Sequence, residues 1–204
     1  MRILLFILIF PLLCAGQSYQ SEKVEKLIET KQFNDAKRIL IERIKNNPND
    51  IDAIELLGDV YCKEKNWDEG IVQYKKLVDH DSKVADFHYK YGGALGMKAK
   101  SVNKLRAISY LDDVEAAFLK AVELDPKHSD AHWALALYYM HVPGILGGGK
   151  KKAMYYADKL EALSKVDGYL AKGHLHEDDK EYDLAENYYK KAVEVGGSLT
   201  CYTH

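Results

Sequence analysis

Apolar residues recur three and four positions apart along most of the chain, in stripes separated by short polar breaks. In the segment 51–84 (IDAIELLGDVYCKEKNWDEGIVQYKKLVDHDSKV), Ile54, Leu57 and Tyr61 form one stripe, a break falls near Asn66, and Ile71, Tyr74, Leu77 and Val78 form the next. That period predicts two amphipathic helices packed side by side. Gly58 on the first and Gly70 on the second let the two backbones approach, while Tyr61 and Tyr74 fill the space beside them.

The same order returns with local edits. The stretch 32–48 has Ala36 in the small position, Leu40 in the aromatic one and Pro48 at the close; the helix before it, Ser21 to Thr30, is shorter and more polar, as expected of a unit that caps a stack against water. A third unit opens with Tyr91-Gly92 and Leu95 and closes with Ala116-Ala117-Phe118, Ala121 and Leu124-Asp125-Pro126. Its middle is longer by roughly ten residues, and Val102, Leu105, Ile108 and Leu111 keep a helical spacing through the addition, which predicts a lengthened helix. A fourth unit places Ala136 and Tyr139 on its first helix and Ala153, Ala157 and Leu160 on its second, with a Gly-rich loop between; a fifth has Gly173, Ala185, Tyr189 and Ala192 at matching separations.

The sequence Leu57-Gly58, Tyr61, Gly70, Tyr74 resembles the tetratricopeptide repeat family, whose signature runs through a Leu-Gly pair, a Tyr, a small residue, an aromatic, an Ala and a late Pro. The resemblance covers about residues 20–197, and the insert PGILGGGKKKA with the extended third unit makes the chain similar to exported bacterial members. It implies an all-α, right-handed α-solenoid of antiparallel helix pairs, about four to five units. The expected division is a leader over 1–16, a degenerate repeat over 17–50, repeats over 51–84, 85–128 (with the insertion), 129–165 (with the Gly-rich loop) and 166–197, and a tail over 198–204.

The leader is read from Arg2, the apolar run Ile3 to Leu13 and the small residues Cys14, Ala15 and Gly16. Such a run is too short for a spanning helix, which needs about 20 apolar residues, and its layout is that of a signal peptide cut after Gly16. The expected location is periplasmic or secreted. The alternative, a membrane-anchored lipoprotein acylated at Cys14, meets the departure that Leu12 and Leu13 precede the cysteine where a lipoprotein signal carries a small residue. With Cys14 removed, Cys62 and Cys201 remain, in no metal or redox spacing.

Composition removes several classes of function. With 29 basic and 31 acidic residues, a net charge of -2 and 47% hydrophobic content, the 204-residue chain can bury a core and presents no basic face for nucleic acid. The run Gly144 to Lys151 matches part of a nucleotide-binding P-loop, but a helix precedes it where a strand is needed and Lys151 stands where Ser or Thr would hold magnesium. A milder reading keeps Gly147, Gly148, Gly149, Lys150 and Lys151 as an anion-contacting loop at a helix start. His128 and His132 are four apart and His174 and His176 two apart, yet neither pair is completed by a further ligand at a metal-site spacing. Glu177, Asp178, Asp179 and Glu181 lack an EF-hand's alternation and read as solvated charge. No nucleophile, base or carboxylate pair takes a role by spacing, so no enzyme, no cofactor and no metal is expected.

In the family the first helices of successive units line a concave groove. Carried across by position, the groove-facing residues are Asp52, Glu55, Asp59 and Cys62, then Asp86, Tyr89, Gly93 and Gly96, then Asp130, Trp133, Leu137 and Met140, then Asp167, Leu170, His174 and Glu177. One end is acidic and the middle apolar, which suits a basic or amphipathic protein segment. The resemblance thus implies a non-catalytic protein-interaction scaffold or adaptor outside the cytoplasm, with self-association also open; the alternative is an accessory component of a cell-wall or envelope enzyme assembly, lipid-anchored through Cys14.

Overall fold

The structure, a computed structural model, describes residues 22–196. The expected leader over 1–16, Cys14, Cys201 and the 198–204 tail lie outside the described residues. Within them the chain is all α: α1 (22–29), α2 (Phe33–Asn46), α3 (Ile51–Lys63), α4 (Trp67–His80), α5 (Ala85–Ser101), α6 (Lys104–Leu124), α7 (Ser129–His141), a 3-10 turn (Gly144–Leu146), α8 (Lys150–Leu163), α9 (Lys165–Asp178) and α10 (Tyr182–Gly196). It divides into two compact units that meet in sequence at Leu77 and Val78. No described helix is long and apolar enough to cross a membrane.

Two turn designs repeat. Between α1 and α2, α3 and α4, and α9 and α10, a lysine takes the left-handed conformation: Lys31 (φ 58°), Lys65 (φ 60°) and Lys180 (φ 62°). At each, the lysine amide donates to the carbonyl three back and the next amide to the carbonyl five back: Gln32 to Leu27, Asn66 to Tyr61, Glu181 to His176. This closure satisfies the last carbonyls of the first helix and turns the chain sharply. Before α3, α5 and α7 an Asx turn is used instead: the side chains of Asn47, Asp81 and Asp125 accept from the amides of Asn49, Lys83 and Lys127. Lys31 and Lys65, like Asn47 and Asp81, stand 34 positions apart, the period of the sequence stripes.

In the first unit, Val24, Ala36, Leu40, Ala53, Leu57 and Val60 form the core. Arg43 donates from two nitrogens to Asp50, both at 3.0 Å, while Asp50 also caps α3 by accepting from the Ala53 amide. The glycines act as expected: a Cβ on Gly58 would come within 2.6 Å of the Tyr74 ring, and one on Gly70 within 2.5 Å of the Cys62 sulfur. Tyr74 then donates to Asp59 at 2.6 Å.

In the second unit α5 and α6 have 17 and 21 residues, against 13 and 14 in α3 and α4. The additional residues of the third repeat are therefore helical and shared between both helices, broken only at Val102-Asn103, where the Asn103 side chain caps α6. Gly92 is covered by Phe118, 26 positions later, whereas Gly58 and Gly173 are covered by Tyr74 and Tyr189, 16 positions later. The second helix of this pair has kept its packing register by carrying the extra turns beyond it. At the α8–α9 join Ser164 ends one helix and caps the next, and Gly168 packs so tightly that a Cβ would overlap the Glu161 backbone.

Candidate functional site

The second unit exposes a surface made by α5, α7 and α9, the first helices of three pairs. On α7, Asp130, Trp133 and Leu137 recur three and four positions apart and form a ridge with a cleft on each side. The first cleft, about 390 Å³, runs between α5, α6 and α7 and is walled by Tyr89, Leu111, Val114, Phe118, Ala134 and Tyr138. The second, about 550 Å³, lies toward α9 and is bounded by Ser129, Leu160, Asp167 and His174. His174 meets the Trp133 indole edge-on, with ring centroids 6.0 Å apart.

The first cleft owes its depth to Gly93 and Gly96 on α5. A Cβ at Gly93 would meet nothing within 4 Å, and one at Gly96 only the Val114 side chain at 3.8 Å. Glycine inside a helix costs about 1 kcal/mol relative to alanine, so these two, unlike neighbouring Gly92, weaken the helix without being needed for packing. The polar groups lie at opposite ends: Asp130 in the first turn of α7, and Lys100 and His141 in the last turns of α5 and α7. Burial first, and then the charges of Asp130 and Asp86, push the Tyr89 hydroxyl above its ordinary value, so it remains a neutral donor. Tyr138 donates to the Leu111 carbonyl and is pushed up to about 12, by burial first and then by Glu115 and Asp112.

Of the residues expected to contact a partner, Tyr89, Asp130, Trp133, Leu137 and His174 line these clefts, and Asp86 sits beside Tyr89 with its carboxylate 3.7 Å from His128. Leu170 does not: only 6% exposed, it is part of the core. On α9 it is Asp167 and His174 that border the second cleft. Met140 lines neither cleft. In the first unit Asp52 is exposed in the opening turn of α3, Glu55 is half-buried, and Asp59 is engaged by the Tyr74 hydroxyl. The wall residues of α6, together with Met97, Lys100 and His141, were not anticipated. Their signal in the sequence was the length of α5 and α6, which carries the cleft past one ordinary repeat.

The Gly-rich loop is occupied by the chain itself. Gly147 (φ 90°) and Gly149 (φ 120°) take conformations that favour glycine, and the amides of Gly147, Gly148 and Gly149 donate to the carbonyls of Gly144, Pro143 and Tyr139. Lys150 is held by Asp179 and Glu181, each at 2.7 Å, which keep its ammonium above the usual lysine value. Lys152 lies over the Tyr139 ring at 4.7 Å. An incoming anion would find these three amides and two cations already engaged, leaving Lys151 from the expected set. The acidic turn after α9 is likewise more than solvated charge: Glu181 also contacts His176, and Glu177 accepts from Tyr189. His128 caps α7 by accepting from the Ala131 amide, and the buried His132 donates from Nε2 to the Pro126 carbonyl.

Residues 166–195, which include nearly all of α9 and α10, match the tetratricopeptide repeat family model. The chain carries a tetratricopeptide repeat there. The repeat fold extends through both units: a thermophilic tetratricopeptide repeat protein of Thermus thermophilus superposes with a TM-score of 0.71 at 20% identity, over 87% of this chain and 90% of that one. YrrB, described as a repeat protein of this type with an unusual peptide-binding site, superposes with a TM-score of 0.56 at 13% identity, over 87% and 85% of the two chains. In sequence the repeats are 28% identical over 166 residues to Superkiller protein 3 of Schizosaccharomyces pombe, covering 78% of this chain. The chain spans only 11% of the length of that relative.

Proposed function

We propose that this tetratricopeptide protein is a non-catalytic scaffold that holds a segment of another protein along the α5–α7–α9 surface, and that it works outside the cytoplasm. The observation that carries the reading is the Asp130–Trp133–Leu137 ridge flanked by two open clefts, because a large aromatic between concave, mostly apolar surfaces is the kind of feature that dominates binding energy at protein interfaces. The fold is one that presents extended binding surfaces from stacked helix pairs, and the structural likeness to a repeat protein described by its peptide-binding site agrees with that use. The side chains around the clefts offer anchoring and charge matching, with no nucleophile and base aimed at a common point. Export is supported by Arg2, the apolar run Ile3 to Leu13 and the small residues after it.

One experiment addresses both parts. Tagged full-length protein is recovered from cell envelope and medium, its mature N-terminus weighed, and its crosslinked partners identified for wild type and Trp133→Ala. The expected outcome is a chain beginning at Gln17 and a specific partner whose recovery falls at least tenfold with Trp133→Ala, while far-ultraviolet circular dichroism is unchanged. Equal recovery by both proteins overturns the binding surface; an uncleaved chain in the cytoplasm overturns export.

A further inference from the structure

Three features invite a further role: the Gly-rich loop, whose cations are already engaged; the exposed apolar side chains Leu105 and Ile145; and the cleft between α5, α6 and α7. Leu105 and Ile145 are 85% and 94% exposed, but nothing around them selects an occupant. The cleft does. We propose that it is a socket for one bulky apolar side chain of a partner segment whose basic end lies toward Asp130 and Asp86 and whose acidic end lies toward Lys100 and His141, with Gly93 and Gly96 as the residues that keep the socket open. This rests on the protein-binding reading above and assigns the chemistry of the bound segment.

The first support is steric. α5 carries three glycines in five positions, and only Gly92 is required by its neighbours, since a Cβ there would meet Ala117 and Phe118 at 3.0 Å. Alanine at Gly93 would strengthen the helix and touch nothing, so the space above it is available to something outside the chain. The walls, Leu111, Val114, Phe118, Trp133 and Leu137, are apolar, and about 390 Å³ accommodates a large side chain with its flanking backbone. From Tyr89 to Lys100 the cleft follows α5 for about 16 Å, at roughly 1.5 Å per residue. That is the reach of about five residues of extended chain.

The second support is the charge order. Among the described contacts neither Asp130 nor Lys100 has an ion-pair partner, and they stand at opposite ends of the same cleft. His141 donates from Nδ1 to the Leu137 carbonyl at 2.7 Å, so Lys100 supplies the positive charge at that end. A segment laid with its basic side chain at the Lys100 end would face like charge there and at Asp130 forgo its partner, so the arrangement selects a direction as well as a composition.

The test uses the full chain and a randomised twelve-residue peptide display library, selected on wild type and re-measured by calorimetry on Gly93→Leu, Asp130→Lys, Lys100→Glu and Trp133→Ala. Gly93→Leu extends into open space, and thermal melting at or above the wild-type midpoint verifies its fold. Enriched peptides are expected to carry Phe, Trp, Leu or Met between a basic and an acidic residue, to lose at least tenfold in affinity on Gly93→Leu, and about three- to tenfold on each charge reversal. The Asp130→Lys/Lys100→Glu double variant is expected to prefer peptides with the two charges exchanged. Peptides that bind Gly93→Leu as tightly as wild type but lose affinity on Trp133→Ala overturn the socket and leave the binding surface standing. Sensitivity to Gly93→Leu without any charge order overturns the direction of the segment. No enrichment on wild type overturns the socket and the binding surface together.

Discussion

Glycine has two opposite uses in this chain, and only the surrounding atoms distinguish them. At Gly168 a side chain would run into the backbone of Glu161, which cannot rotate away, so Gly168→Ala is expected to lower unfolding free energy by about 2 kcal/mol or more. Gly93→Ala is expected to raise it by about 0.5–1 kcal/mol, because the methyl group enters open space and the unfolded chain loses freedom. Urea titration of both variants checks the pair, and similar shifts for the two would contradict the packing described. The sequence showed Gly58 and Gly70 as close-approach residues because large aromatics occur at the complementary positions. Gly93 shares their identity, but position matching put it on the groove side of its helix. What separates the two kinds is the volume opposite, set by side chains on α6 that are far away in sequence.

At the scale of elements, the joins determine both geometry and stability. Lys65 occupies a left-handed position in which an L side chain costs about 1 kcal/mol, so Lys65→Gly is expected to stabilise the first unit by roughly that amount in thermal or urea unfolding. The join between α7 and α8 is secured differently, by Lys150 reaching the turn after α9. Glu181 is held below its ordinary value of 4.5 by Lys150 first and His176 second. A depressed carboxylate contributes stability that is present above the unfolded-state value and disappears as pH falls through the folded-state value. The melting temperature of Lys150→Ala should therefore lie below that of wild type at neutral pH, and the gap should close as pH drops below about 4. Such coupling was not legible beforehand, since it joins residues 31 positions apart whose charges, read locally, looked like ordinary solvated surface.

For the whole molecule, the helix pairs and their 34-residue period were readable because each pair repeats the same apolar spacing and the same small-residue contact. The candidate surface was read less well. Matching positions along the first helices pointed to the α7 ridge but misplaced Leu170, which packs into the core. It also missed the α6 wall, because added helical turns have no counterpart in an ordinary repeat. In such an array each pair relies mainly on its neighbours, and in the second unit α8 packs on both α7 and α9. Leu160 is fully buried on α8, so Leu160→Ala should cost about 2–5 kcal/mol. Hydrogen exchange should show α8, α9 and α10 opening well before α5 and α6; uniform loss of protection across the unit would refute that ordering.

The ridge has a practical consequence. The chain has two tryptophans, and Trp133 stands with one flank toward each cleft and its edge on His174. Anything entering either cleft must displace water from the indole, which changes the colour and lifetime of its emission. With Trp67→Phe removing the other emitter, the protein would carry its own optical gauge of occupancy, able to report a ligand before that ligand has been identified.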